Sequence, residues 1–455
     1  VKWSTPKSAF VAALLVLVAP LLAMCSGAPS TLTAPNLAPQ VQVLPTAAVL
    51  QQRLPEAVVE PLVWPTLAAN ATPTPTLQPF PTPLPTPPAP TMQPVGPGGL
   101  PFPLRSGRLE VGAHAHLFWT NRDTPLIRAR DAGLGWIRQQ IHWKDQEGPP
   151  GYYAWGEELD SIVSYVDAYD LKLMISIVRS PSFYGKNGGD GLPNDPQALG
   201  NFVAALAQRY KGRIHAIQIW NEQNLAHENG GYVSVEDAGH YVEVLKAAYT
   251  RIKEVDPTIL VITGAPASTA VNSPGIAISD VRYYSAMLSY QGGAIRNYMD
   301  ALGVHPGGSA NPPETLWPEL PSTAQGWTDH PTFYFRNIEN IHALMLEYGV
   351  DRTPVWITEF GWATANSTPG FEFGNQVSFQ QQADYIVGAM RLVEERYPWV
   401  DAMFIWNLNF APLRAQSGDP YHEQASFGIL NADYSPRPAY WAVQQYIADL
   451  RARGR

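Results

Sequence analysis

Three textures succeed one another along the chain. Residues 9–24 form an apolar segment that contains Pro20, and Lys2 and Lys7 precede it. From 29 to 103 no helical or strand period holds; proline, threonine, alanine and glutamine dominate, most densely at 71–76 and 79–90. Past Ser106, short apolar runs alternate with segments of helical periodicity. The runs predict strands at 109–118, 136–143, 171–178, 214–222, 259–265, 299–305, 354–359 and 400–407. The periodic segments predict helices at 124–132, 157–169, 196–210, 235–255, 280–289, 333–347, 378–396 and 439–450. Eight strand–helix repeats predict an α/β protein with a parallel (β/α)8 barrel spanning 106–455. A doubly wound open sheet is the alternative, but no glycine-rich phosphate loop follows the first strand.

The two leading segments change the picture of where such a barrel works. A basic start and an apolar stretch too short to span a bilayer comfortably predict an export signal over 1–28. Leu22-Ala23-Met24-Cys25 resembles the lipobox of bacterial lipoproteins, although Met24 stands where a small residue is usual. Lipidation of Cys25 would attach the protein to a membrane; ordinary cleavage after Ser26-Gly27-Ala28 would release it. Either reading places the barrel outside the cell or at its surface. The segment 29–105 reads as a polyproline-rich stalk with no core to bury. Cys25 is the sole cysteine, so no intrachain disulfide is possible. A net charge of −9 and a pI near 5.6, without any basic tract, argue against a nucleic-acid partner. The 14 tryptophans and 21 tyrosines exceed ordinary core needs and suit stacking surfaces for sugars.

In a parallel barrel the informative residues are those that close each strand. Gln218-Ile219-Trp220-Asn221-Glu222 brings a carboxylate to the end of the fourth strand, and Val355-Trp356-Ile357-Thr358-Glu359 brings one to the end of the seventh. Cleaving an acetal at neutral pH needs a proton on the leaving oxygen and negative charge near the electron-poor carbon. One carboxyl must therefore be neutral while its neighbour is ionised. A single glutamate ending a strand is more often a solvated loop residue; two in matching contexts are not. No pair of histidines stands at helical ligand spacing with an acidic third partner, so neither a cofactor nor a catalytic metal is expected.

With Trp220-Asn221-Glu222 and Thr358-Glu359-Phe360-Gly361 in place, the chain resembles the clan A glycoside hydrolases, in particular the β-xylosidase-like family 39 and the cellulase-like family 5. The resemblance covers most of 106–455, including Phe427-Gly428-Ile429-Leu430 and Pro436-Arg437-Pro438-Ala439-Tyr440. It implies retaining hydrolysis of β-glycosidic bonds in a polysaccharide or oligosaccharide, with Glu222 as acid/base and Glu359 as nucleophile. It further implies that Asn221 binds the sugar 2-hydroxyl and that Arg138 lies near the nucleophile. His305 and Trp406 occupy the usual strand-six and strand-eight positions. His142 and Trp143, at the end of the second strand, complete the expected substrate-binding set. Gln223 stands where many relatives have proline, and Gly307 where some have a tyrosine that bonds the nucleophile. Two alternatives stay open: a catalytically silent carbohydrate-binding protein displayed on the stalk, and a transglycosylase using the same residues.

Overall fold

The computed structural model describes residues 109–453. The expected signal with Cys25 and the stalk lie outside the described residues.

The strands are β1 (Glu110–His114), β2 (Trp136–His142), β3 (Lys172–Val178), β4 (Ala216–Ile219), β5 (Leu260–Thr263), β6 (Leu302–Val304), β7 (Val355–Phe360) and β8 (Val400–Ile405). Between them run α1 (Asp123–Asp131), α2 (Gly156–Ala168), α3 (Pro196–Arg209), α4 (Asp237–Val255), α5 (Asp280–Ser289), α6 (Ile338–Glu347) and α7 (Phe379–Arg396). The short α8 (Phe410–Gln416) and α9 (Glu423–Phe427) then precede α10 (Pro438–Ala452). Local signals set several of these boundaries. Asp195 caps α3 by accepting from the Gln197 amide, with Pro196 at the first helical position. Ser378 and Gln381 form a reciprocal capping box on α7.

The strands lie in the order β5-β4-β3-β2-β1-β8-β7-β6, with each neighbouring pair parallel. At the seam, Ile262 and Ala301 form a parallel bridge and the Thr263 amide donates to the Ala301 carbonyl at 3.2 Å. The sheet is therefore a nearly closed barrel, as the eight repeats predict. Several elements differ from expectation: β1, β4 and β5 end short of the predicted 109–118, 214–222 and 259–265. β6 is shorter than 299–305, and the helix expected from 333 starts at Ile338 after the 3-10 turns Pro331–Phe333 and Phe335–Asn337. Buried Asp280 accepts from Thr332 Oγ1 at 2.9 Å and Asn337 Nδ2 at 3.0 Å, which ties these turns to the start of α5.

Strand side chains alternate between two cores. Ile137, Leu173, Ile175, Ile217, Ile219, Val261, Ile357 and Met403 pack outward in the large cluster that includes the helices. Trp136, Met174, Ala216, Leu260, Ile262, Trp356, Ala402 and Phe404 form a separate apolar cluster. These residues fill the interior, where Trp136 and Trp356 meet edge-to-face at 5.2 Å. Two positions on from Trp136, Met174, Ala216 and Trp356, the same alternation presents Arg138, Ser176, Gln218 and Thr358. A polar layer thus sits on the apolar one, toward the carboxyl ends of the strands.

Candidate active site

Arg138 organises that polar layer. It is fully buried, and each of its five N–H donors has a partner. Nε donates to Gln218 Oε1 at 2.8 Å; Nη2 donates to Ser176 Oγ at 3.2 Å and Asn221 Oδ1 at 2.7 Å. Nη1 reaches Glu359 Oε1 and His114 Nδ1, each at 2.6 Å. A guanidinium can only donate, so His114 Nδ1 accepts and this ring is neutral. Burial, reinforced by the Arg138 charge, lowers the His114 pKa to about 4 and supports that state. Gln218 Nε2 continues the network to Thr358 Oγ1 at 3.0 Å.

Glu359 owes its aim to an irregularity in β7. Ile357 pairs with Met403 and Phe360 with Ile405, so three steps along β7 match two along β8. The extra residue is a bulge that turns Glu359 to the Arg138 side together with Thr358, where strict alternation would separate them. Glu222 lies three residues past the end of β4, in a turn where Trp220 and Glu222 adopt φ of 71° and 48°. Such left-handed backbone in non-glycine residues is strained and persists only when its surroundings hold it. Here the Glu222 amide donates to the Ala265 carbonyl at 2.9 Å, and the Trp220 indole to the Glu228 carbonyl at 3.1 Å. Buried Gln223 donates to the Gly264 carbonyl at 2.9 Å, a bond that a proline there would lack. Asn224 donates to the carbonyls of Ala267 and Ile278, both at 2.9 Å.

His305, just past β6, links the two carboxylates. Its Nδ1 lies 3.3 Å from Glu222 Oε1, and its Nε2 lies 3.0 Å from Thr358 Oγ1 and 3.8 Å from Glu359 Oε1. One oxygen of each glutamate and a ring nitrogen of His305 fall within 4.8 Å of one another. Two carboxylates and an imidazole at that spacing could hold a divalent cation, but the Arg138 guanidinium already meets Glu359 and opposes a second positive charge there.

The same surroundings separate the two acids electrostatically. Burial is the largest influence on Glu222 and raises its pKa; His305 opposes this, and Glu359 adds to the rise. Burial alone would also raise Glu359, but His305 and Arg138 outweigh it and bring the carboxyl down to about 2. Glu222 thus favours its neutral form and Glu359 its anion.

Trp406 meets His114 edge-on at 4.6 Å and lines the cavity beside the glutamates. The structure therefore gathers Glu222, Glu359, Asn221, Arg138, His305 and Trp406 in one place. Trp143 does not join them. It is fully buried, stacked on Tyr184 at 5.1 Å and Phe202 at 5.3 Å, and offers no free ring face. Its indole donates to Glu147 Oε2 at 2.5 Å. His142 lies 3.4 Å from Asp145 and outside the cavity lining. Trp362 is also buried, donating to the Asn311 carbonyl at 2.9 Å, and Trp155 packs on Phe202. Gly307 admits no side chain, because a Cβ there would lie 2.4 Å from the Thr332 carbonyl oxygen. Arg138 supplies a hydrogen bond to Glu359 instead.

Sequence reasoning gave no role to Ser176, Gln218 and Thr358, although each interrupts an apolar strand run. It also missed Glu423, whose carboxyl is fully buried with no hydrogen-bonding partner among the described residues. Burial pushes that group well above the usual carboxylate range; Arg414 opposes the rise, and Glu222 and Glu359 add to it.

No family model and no curated protein matches the chain. Solved structures do share its fold. A family 39 glycoside hydrolase from Bacteroides cellulosilyticus WH2 superposes with a TM-score of 0.53 at 19% identity, covering 76% of this chain and 64% of that one. A glucosidase from Croceicoccus marinus gives 0.52 at 15% identity, covering 79% of this chain and 69% of that one. The chain thus spans under two thirds of the first structure's length. What is shared at these identities is the barrel, the fold that the resemblance to clan A glycoside hydrolases implies.

Proposed function

We propose that the protein is a retaining β-glycosidase acting on a saccharide, with Glu222 as acid/base and Glu359 as nucleophile. The observation that carries this reading is the approach of the two carboxylates to within 4.8 Å, with opposite ionisation favoured on each. Retaining enzymes hold their carboxyl groups about 5–5.5 Å apart, whereas inverting ones leave about 6.5–9.5 Å for a water.

In the first step Glu359 attacks the anomeric carbon as Glu222 gives its proton to the leaving oxygen, which departs as an alcohol. The product is a glycosyl ester on Glu359. Its carboxylate charge is then gone, one influence holding Glu222 protonated is removed, and Glu222 can deprotonate a water. That water attacks the same carbon, Glu359 leaves as carboxylate, and Glu222 is protonated again. Configuration is retained after two inversions. Arg138 holds Glu359 anionic and fixes Asn221 for a sugar hydroxyl. Export and display on the stalk belong to the same proposal and rest on the sequence of residues 1–105.

A 2-deoxy-2-fluoro-β-glycoside with an activated leaving group tests the mechanism. Mass spectrometry should find the sugar attached to the peptide that carries Glu359, and Glu359→Ala should abolish labelling. A label on another residue, or turnover giving the inverted anomer, refutes it.

A further inference from the structure

The cavity beside the glutamates has a chemistry of its own. It measures about 200 Å3 and is built from the loops after β5, β6 and β7 and the Phe427 end of α9. Aromatic rings form a connected wall: Trp327 lies 5.1 Å from Phe333 and 4.7 Å from Phe373, Phe373 lies 5.7 Å from Phe371, and Phe371 lies 6.3 Å from Phe427. Ala267, Ala270, Val271 and Pro306 add further apolar surface. Apart from Glu222, Glu359 and His305, no charged or titratable side chain lines it among the described residues.

Three of its four hydroxyls already take part in hydrogen bonds, and the Ser309 hydroxyl and the Gln325 amide are the other uncharged polar side chains that line it. Ser268 Oγ donates to the His305 carbonyl at 2.6 Å, Thr332 Oγ1 donates to Asp280, and Thr269 Oγ1 accepts from the Val271 amide at 3.1 Å. A sugar ring enclosed there would find few partners for its hydroxyls, and each unmatched one is costly to bury. The side chains that can still meet a sugar hydroxyl, Asn221 and His114, lie instead on the turn after β4 and at the end of β1, where Arg138 holds both in place. The glutamates stand between these two environments.

We infer that the apolar cavity receives the leaving group, and that this group is an uncharged apolar aglycone such as an alkyl or aryl unit. The inference rests on the glycosidase reading above and narrows its substrate: the sugar goes to the polar cluster, and the part that departs is not another sugar. The Glu222 proton passes to the oxygen joining the two, so the products are a free sugar and an apolar alcohol.

Alkyl β-glucosides and β-xylosides, from methyl to octyl, test this with the wild-type protein. Their leaving alcohols differ little in basicity, so chain length changes contact rather than chemistry. Sugar release gives kcat/KM, and quenching of tryptophan fluorescence gives Kd whether or not the compound turns over. Both kcat/KM and 1/Kd should climb by about fourfold for each added methylene until the cavity fills. Trp327→Ala and Val271→Asp should both flatten that gradient, with urea unfolding reporting whether each variant still folds. A flat alkyl series in the wild type, or a gain only when the aglycone is a further sugar unit, overturns the inference and leaves the glycosidase reading intact. No hydrolysis of any glycoside, with the Kd gradient still present, refutes the catalytic reading and supports the apolar site.

Discussion

Replacing Arg138 with lysine keeps the positive charge and removes the planar fork, so it separates two roles of the residue. The arginine satisfies five acceptors from a fully buried position. An ammonium has three donors, so at least two acceptors lose their partner. Each orphaned buried acceptor costs about 1–3 kcal/mol, which puts Arg138→Lys about 2–6 kcal/mol below wild type. A stability of about 5–15 kcal/mol tolerates the smaller part of that range, so the variant should fold with a lower urea midpoint. Asn221 loses a fixed partner, and if it positions the substrate as proposed, a misplacement of about an ångström costs about 100-fold in rate. The acid limb of kcat/KM should stay where it is, because the charge that helps keep Glu359 ionised remains. Arg138→Met should move that limb to higher pH, since burial then raises Glu359 with one opponent fewer. Urea unfolding followed by fluorescence, and a pH–rate profile on an aryl glycoside, measure both effects. A lysine variant with the wild-type midpoint and rate would refute the account of Arg138.

Glu222→Gln should lower turnover by about 100- to 10,000-fold for substrates with alkoxide leaving groups, and much less for those with activated phenols; equal losses across a leaving-group series would contradict its role as acid. Glu423→Gln should gain stability over wild type as pH rises from 4 to 7. The unfolded carboxyl ionises near 4.3, while the folded one is raised well above its ordinary value and keeps its proton, so wild type loses stability through that window. Denaturant midpoints at both pH values read the effect, and a constant difference between the two proteins would contradict it. Gly307→Ala should destabilise by about 1–3 kcal/mol, because its Cβ meets the Thr332 carbonyl oxygen at 2.4 Å; an unchanged urea midpoint would show that the loop yields freely.

The barrel was legible because its strands and helices obey different periods over a long stretch. The predicted strand starts at Trp136 and Val400 match the structure, as does the whole of α5. Glu222 and Glu359 could be singled out because a carboxylate after an apolar run is conspicuous. Trp143 shows where that logic stops. A tryptophan closing a strand looks the same in sequence whether it faces the mouth of the barrel or, as here, packs between Tyr184 and Phe202. The chain of contacts from His114 through Arg138 to Gln218 and Thr358 joins four strands far apart in sequence, and only the barrel's closure brings them together.

The bulge in β7 has a bearing on how this site can be altered or moved. It is a matter of residue count, not residue type: Glu359 reaches the polar layer because β7 carries one residue more than β8 between two matched pairs. Transplanting the residues of the site onto a regular barrel would therefore fail by geometry, even with every side chain copied. A strand of even length would turn the transplanted glutamate toward the helices. A working graft must include the insertion, and in this chain deleting Thr358 should inactivate as completely as deleting the carboxylate itself.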